Sequence, residues 1–302
     1  MLYADASAVG DIPSGVRLVD APLSIAKAPD PARAVRSSPE ASIVQAANAV
    51  VSGEADALVS GGSTGATLAV GLLKIKRGAG VRRPALALPL LIPGRPRPVL
   101  LLDVGATPEA KTEFLVQYAY LGAAFSEAVL GSGRPRVALL SNGSEADRGS
   151  EAVVSANEVL TASDLDFIGN VEGDQITEGV ADVIVTDGFT GNVTLKVMEG
   201  VSAALMSAVR DRALGSTRGK LGGLLLRPSL RKLRDEVDPE RSGGALLLGL
   251  RKTVVVCHGR FSRAGFAAAT LVAATAVREN SVERAQTALA DAGALRAVAA
   301  DS

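Results

Sequence analysis

The sequence predicts an α/β fold built on a mostly parallel sheet, and three observations carry that expectation. Short apolar runs alternate along the chain with longer segments of helical period, the pattern of βα units. The apolar runs are continuous in Val, Leu and Ile, as in strands covered on both faces. Most of them run straight into a small polar or glycine-containing turn, and in an open α/β sheet such turns at the carboxyl ends of strands are where ligands bind.

The elements follow in order. Ala57–Ser60 reads as a strand leading into SGGSTG, and Val99–Asp103 as one leading into DVGAT. Val137–Leu140 leads into SNGSE, Val183–Thr186 into TDGFTGN, and Thr253–Cys257 into CHG. Pro31–Ser42 is polar, a loop with a helix start, and the proline-rich PLLIPGRPRP is a connector into the Val99 strand. Helices are expected over Glu109–Leu130 and Ser281–Val298. A third follows Asn192, where Val193, Val197, Val201, Leu205 and Val209 recur every four residues as one apolar stripe. The whole chain, 1–302, reads as a single domain with a helical hairpin insertion at about 200–240. GALLLGLRKT, Gly244–Thr253, has the wrong spacing for a nucleotide P-loop and reads as strand-flanking structure.

Composition narrows the function. The chain is 47% hydrophobic and 21% charged with a formal net charge of +0, which argues against a nucleic-acid binder. Aromatic residues make up 3%, so a base-stacking platform is not expected. Cys257 is the single cysteine, so no intramolecular disulfide can form and a reducing compartment fits. With His258 as the single histidine, no Cys- or His-based metal site is expected. No apolar run reaches the roughly 18 residues that span a bilayer, and MLYADASAVG lacks the layout of a signal peptide. The expectation is a cytoplasmic protein.

Chemistry is expected at the turns. In DGFTGN, Gly188 and Gly191 would let backbone approach an anion, with Thr190 and Asn192 as side-chain donors and Lys196 one helical turn further on. The alternative is a tight turn in which Asn192 or Thr190 caps the helix. SGGSTGA repeats the layout with Ser60, Gly62, Ser63, Thr64 and Gly65. Candidate charged helpers are Asp103, Lys111, Glu113, Glu145, Arg148, Glu172 and Asp187, though such a residue taken singly is more often a surface charge or a cap. His258 is either a general base or a hydrogen-bonded strand-end histidine. From Gly215 to Arg234 the basic residues Arg218, Lys220, Arg227, Arg231, Lys232 and Arg234 flank GGLLL, Gly222–Leu226, with no acid among them. That segment is either a hairpin packed within the protein or a dimer, or a docking surface for acidic lipid or an acidic partner.

Taken together, SGGSTGA (60–66), RRPALALPLL (82–91), LLDVGATPEAKTEFLVQYA (101–119), FIGNVEGDQI (167–176), ADVIVTDGFTGNVTLKVMEG (181–200), SGGALLLG (242–249) and HGRFS (258–262) resemble the PlsX-type phosphate acyltransferases of bacterial phospholipid synthesis. The resemblance implies transfer of a fatty acyl group from acyl-carrier protein to inorganic phosphate, giving acyl phosphate. It implies a Rossmann-like three-layer α/β/α sandwich like those of phosphotransacetylases and isopropylmalate dehydrogenase, with a protruding helical hairpin. It implies a homodimer joined through long helices and peripheral attachment to the inner face of the membrane, with Leu224, Leu225, Leu226, Arg227 and Arg231 as contacts. No metal or organic cofactor is needed.

Asn192 and Thr190 would position phosphate or the oxyanion, Lys111 or Arg148 would counter the phosphate charge, and Thr107, Asn170 and Glu172 fall within matching motifs. The sequence also departs from the family pattern. Ser63 and Thr107 stand where the family carries Asn, and Arg148 where it carries Lys; Arg keeps the charge but does not readily donate a proton. The family's opening strand, with its Asp-Ala-Met-Gly-Gly-Asp turn, has no counterpart, so the sheet is expected to lack a strand and the site a wall. Two alternatives follow: a catalytically impaired paralogue that binds acyl-carrier protein or membrane, and a phosphotransacetylase-like enzyme using acyl-CoA.

Overall fold

A computed structural model describes residues 1–236, 238–257, 259 and 261–295. The chain opens with β1 (Leu2–Ala4) and β2 (Leu18–Asp20), followed by α1 (Pro31–Ser37), α2 (Ser42–Val51), β3 (Ala57–Ser60) and α3 (Thr64–Val70). Next come β4 (Ala85–Leu90), β5 (Val99–Leu102), α4 (Thr112–Leu130), β6 (Arg136–Leu140), α5 (Glu151–Thr161), β7 (Asp166–Val171), α6 (Gln175–Glu178) and β8 (Val183–Val185). The chain continues through α7 (Gly188–Leu214), α8 (Thr217–Glu236), β9 (Ala245–Leu248), β10 (Thr253–Val256), α9 (Arg263–Arg278) and α10 (Ser281–Asp291).

Eight strands form one sheet in the order β3-β10-β9-β4-β5-β8-β6-β7, and β1 and β2 form a separate parallel pair. Each expected strand is present, most shifted by a residue at an end. The sheet is more mixed than expected, however. β5, β8, β6 and β7 are mutually parallel, but β4 is antiparallel to both its neighbours and β10 is antiparallel to β9. The physical reason is short connections: β9 returns as β10 through 249–252 and β4 as β5 through 91–98, too little chain for a parallel crossover. The connector into β5 is present at 91–98, but the apolar run ahead of it forms a central strand, β4, and the segment expected to be strand-flanking structure contributes another, β9.

The sandwich has its expected three layers. One face of the sheet packs on α4, α5, α9 and α10 around Leu115, Tyr118, Phe125, Leu160, Ala273 and Leu289. The other packs on α1, α2, α3 and α6 around Val35, Val44, Val50, Val70 and Ile176. Beyond the first turns of α7, where Leu195 and Met198 pack on the second cluster, the hairpin stands apart from both. α7 buries only Gly188 and Gly191, and α8 buries no residue among those described. The predicted apolar stripe of α7 exists but faces outward, with Val201 62% and Leu205 63% exposed. The hairpin's first helix begins at Gly188, ahead of the expected boundary near 200. The last helix stops at Asp291, short of the expected Val298, which lies outside the described residues. Among the described residues no helix is long and apolar enough to cross a membrane.

Candidate active site

The site is organised by Asp103, the first residue after β5. Its side chain is fully buried. Oδ1 accepts from the amides of Leu86 (2.8 Å), Gly105 (3.0 Å) and Ala106 (2.9 Å), and Oδ2 from that of Thr107 (2.7 Å). Burial pushes the carboxyl pKa up, and the four amides pull against it without fully offsetting it. Asp103 therefore ties the DVGAT loop to β4, and its oxygens are spent within the protein. Thr107 is likewise buried, so these two residues shape the wall and do not face a ligand.

The start of α7 sits directly on that loop. The Gly188 amide donates to the Thr107 carbonyl (2.8 Å) and the Phe189 amide to the Pro108 carbonyl (3.3 Å). Asp187 caps the helix, accepting from the Thr190 amide (2.8 Å) and hydroxyl (2.7 Å), and the Gly191 amide donates to the Asp187 carbonyl (2.9 Å). A Cβ at Gly191 would lie 1.9 Å from the Asp103 carbonyl oxygen, and one at Gly188 2.7 Å from that of Thr107. This corrects the expectation that the DGFTGN backbone receives an anion. Its first four amides already have acceptors, and its glycines serve helix-on-loop contact. The cap is Asp187, not Thr190 or Asn192.

What α7 does offer is Asn192, exposed beside Gly105 and without a hydrogen-bond partner among the described residues. With Val104, Leu195 and Lys196 it forms one wall of a cleft of about 1030 Å³. Leu86 and Leu88, on one face of β4, lie beside Ala245 and Val256 as its apolar floor. Thr64 stands on the opposite wall. There Ser63 caps α3 by accepting from the Ala66 amide (3.2 Å), and Ser60 Oγ accepts from the Gly62 amide (3.2 Å) and the Thr67 hydroxyl (3.0 Å). The turn's own hydroxyls thus hold its shape. The amides of Thr64 and Gly65 have no acceptor among the described residues, so the free helix N-terminus belongs to SGGSTG.

The remaining expected residues divide plainly. Lys196 pairs with Glu199 (2.7 Å) at the cleft edge. Arg148 pairs with Glu145 (3.7 Å) in the loop after β6, and Lys111 occupies the cap position of α4; neither lines the cleft. Asn170 is buried, and its amide donates to the carbonyls of Glu145 (2.7 Å) and Arg148 (3.3 Å), so it supports the Arg148 loop and does not reach a ligand. Glu172 donates its amide to Gln175 outside the cleft. His258 lies outside the described residues. Leu224, Leu225 and Leu226 are exposed on α8, with Arg227 and Arg231 beside them.

Sequence reasoning missed Leu86, Leu88, Phe261 and Glu240, all of which line the cleft. Glu240 accepts from the Ser262 amide (2.8 Å) and hydroxyl, which together hold its carboxyl below the usual range and pin the start of α9. The continuous apolar run of β4 was the available signal for the leucines and the HGRFS motif that for Phe261; nothing local marks Glu240. Cys257 also lines the cleft, and burial pushes its thiol up to about 11, so it stays protonated at neutral pH.

The profile of the family described as fatty acid synthesis protein matches residues 11–284. A phosphate acyltransferase of Heliobacterium modesticaldum is 44% identical over 271 residues, covering 89% of this chain and 80% of that one. One of Levilactobacillus brevis is 44% identical over 248 residues, covering 81% and 72%. Among solved structures, the EutD phosphotransacetylase of Staphylococcus aureus superposes with a TM-score of 0.53 at 19% identity, covering 91% of this chain and 80% of that one. That likeness speaks to the fold alone. By profile and by identity over most of its length, the chain belongs to the PlsX-type phosphate acyltransferase family.

Proposed function

We propose that the cleft between the SGGSTG turn and the start of α7 moves a fatty acyl group from acyl-carrier protein to inorganic phosphate, giving acyl phosphate for phospholipid synthesis. One observation carries this reading. Among the described residues the Thr64 amide and the Asn192 side chain have no hydrogen-bond partner, and both residues line the cleft above an apolar floor at Leu86 and Leu88. Phosphate fits the first set and an acyl chain the second. A phosphate oxygen attacks the thioester carbonyl carbon while Asn192 donates to the developing oxyanion. The C–S bond then breaks, and the phosphate's proton leaves on the carrier thiol. Arg148 and Lys111 emerge from loops at the same end of the parallel strands β5, β8 and β6, and supply positive charge at the approach.

The chain acts as one acyltransferase unit with the α7–α8 hairpin projecting from it. The outward stripe Val193, Val197, Val201, Leu205 and Val209 is the seam of a homodimer. Leu224, Leu225 and Leu226, with Arg227 and Arg231, meet an acidic membrane surface. Incubation with acyl-acyl-carrier protein and phosphate tests the reaction through acyl phosphate formed and thiol released. Turnover with acyl-CoA alone would favour a soluble phosphotransacetylase-like enzyme, and turnover with neither donor a binding protein without catalysis.

A further inference from the structure

Asparagine or aspartate stands directly before glycine at two places, Asn142–Gly143 and Asp187–Gly188. With no side chain to hinder it, a glycine amide nitrogen can reach the preceding side-chain carbonyl carbon and close a five-membered ring. The ring closes only where that nitrogen and that carbonyl are not already engaged, and the two pairs differ in this. The Gly188 amide donates to the Thr107 carbonyl (2.8 Å), and the Asp187 carboxylate accepts from the Thr190 amide and hydroxyl. Asn142 is exposed, and neither its side chain nor the Gly143 amide has a hydrogen-bond partner among the described residues. The loop is pinned on both sides of this pair. Ser141 donates its amide to the Val171 carbonyl (2.9 Å), and the Asn170 side chain donates to the carbonyls of Glu145 (2.7 Å) and Arg148 (3.3 Å). Between these anchors the amides of Asn142, Gly143 and Ser144 have no acceptor among the described residues. Packing also favours glycine at 143, where a Cβ would lie 2.8 Å from Arg148 Cγ and 2.9 Å from Glu145 Oε2.

We propose that Asn142 is a self-modification site, converting to aspartate and isoaspartate and so adding a negative charge to the loop that carries Arg148. The Gly143 nitrogen attacks Asn142 Cγ and gives up its proton. The bond from Cγ to the side-chain nitrogen breaks, and that nitrogen leaves with the proton as ammonia. Water then adds to either carbonyl of the succinimide, opening it to aspartate or to isoaspartate, with no oxidant or reductant involved. Both products carry a carboxylate beside Arg148, which already pairs with Glu145. The isoaspartyl form also lengthens the backbone by one methylene between the two anchors. The inference stands apart from the reaction proposed above and is read by mass, whether or not acyl transfer is found.

The test incubates the full chain at physiological temperature and mildly alkaline pH, folded in buffer or unfolded in urea. Peptide masses and isoaspartate methyltransferase labelling follow each asparagine and Asp187. In the folded chain the Asn142 peptide should gain the mass of amide-to-acid conversion before any other asparagine peptide. Unfolding should change its rate by less than about threefold, because no hydrogen bond has to open first. Isoaspartate at Asp187 should form in urea and not in the folded chain, where the Gly188 amide is engaged. Asn142→Gln, at an exposed position, should leave the melting temperature unchanged and form neither product at 142. A rate at Asn142 slowed about tenfold or more by folding would show the site to be protected and overturn the proposal. So would an earlier change at another asparagine, or isoaspartate at Asp187 in the folded chain.

Discussion

Asn192 stands beside Gly105 and Asp103 accepts from the Gly105 amide, and the two illustrate two kinds of functional residue. Asn192 is exposed, lines the cleft and has no hydrogen-bond partner among the described residues, which leaves its amide available to a ligand. Asn192→Ala should lower kcat about a hundredfold, the usual cost of losing one oxyanion donor, while leaving the melting temperature unchanged. Asp103 is sealed inside its loop, and Asp103→Asn would set an amide N–H₂ against backbone donors. That should cost about 3 kcal/mol in denaturant unfolding. Gly191→Ala should cost a similar ~3 kcal/mol, because its Cβ would overlap the Asp103 carbonyl oxygen. A melting temperature equal to wild type in Gly191→Ala would refute the packing role given to the turn. The sequence identified every one of these positions but ranked them by motif. Which amides stay free depends on where the Asp103–Pro108 loop crosses α7, a contact between distant parts of the chain that no local spacing encodes.

At the level of elements, α7 was legible because a four-residue apolar repeat survives in any environment. What that stripe packs against was not, since an outward stripe and a core stripe read alike. Leu205→Glu should convert a dimer to a monomer by light scattering without unfolding it, and a mass unchanged from wild type would remove the stripe from the interface. β4 escaped notice for a different reason. Pro89 argues against a central strand, yet it falls where pairing with β9 has already ended at Ala87 and only β5 continues alongside. β6 and β8 are further joined by Arg136, whose amide and guanidinium donate to Asp182 (2.9 and 3.1 Å). Desolvation raises the Asp182 carboxyl, but the hydrogen bonds and charge of Arg136 outweigh it and hold the pKa below its ordinary 3.8. The ion pair therefore adds stability above that pH and loses it as the pH falls through the depressed value. Asp182→Asn should flatten the acid side of the stability curve, and an unchanged slope below pH 4 would contradict the pairing.

For the molecule as a whole, the three-layer sandwich was readable from alternating apolar runs and helical periods, and the family from motifs spread along most of the chain. The mixed centre of the sheet was not, because it arises from two short connections. It is nonetheless what makes the cleft: antiparallel β4 and β9 stand between the β5-β8-β6-β7 strands and the β3-β10 pair, and the groups that face each other come from opposite halves. The central claim is that phosphate sits between Thr64 and Asn192. Acyl-phosphate formation measured against phosphate concentration, at saturating acyl-acyl-carrier protein, tests it most directly. The wild-type rate should saturate in phosphate. Thr64→Pro, which removes one free amide and the hydroxyl at a helix position that tolerates proline, should raise the phosphate KM about tenfold with the KM for the acyl donor unchanged. Identical phosphate curves for wild type and Thr64→Pro would place the phosphate elsewhere and contradict the account.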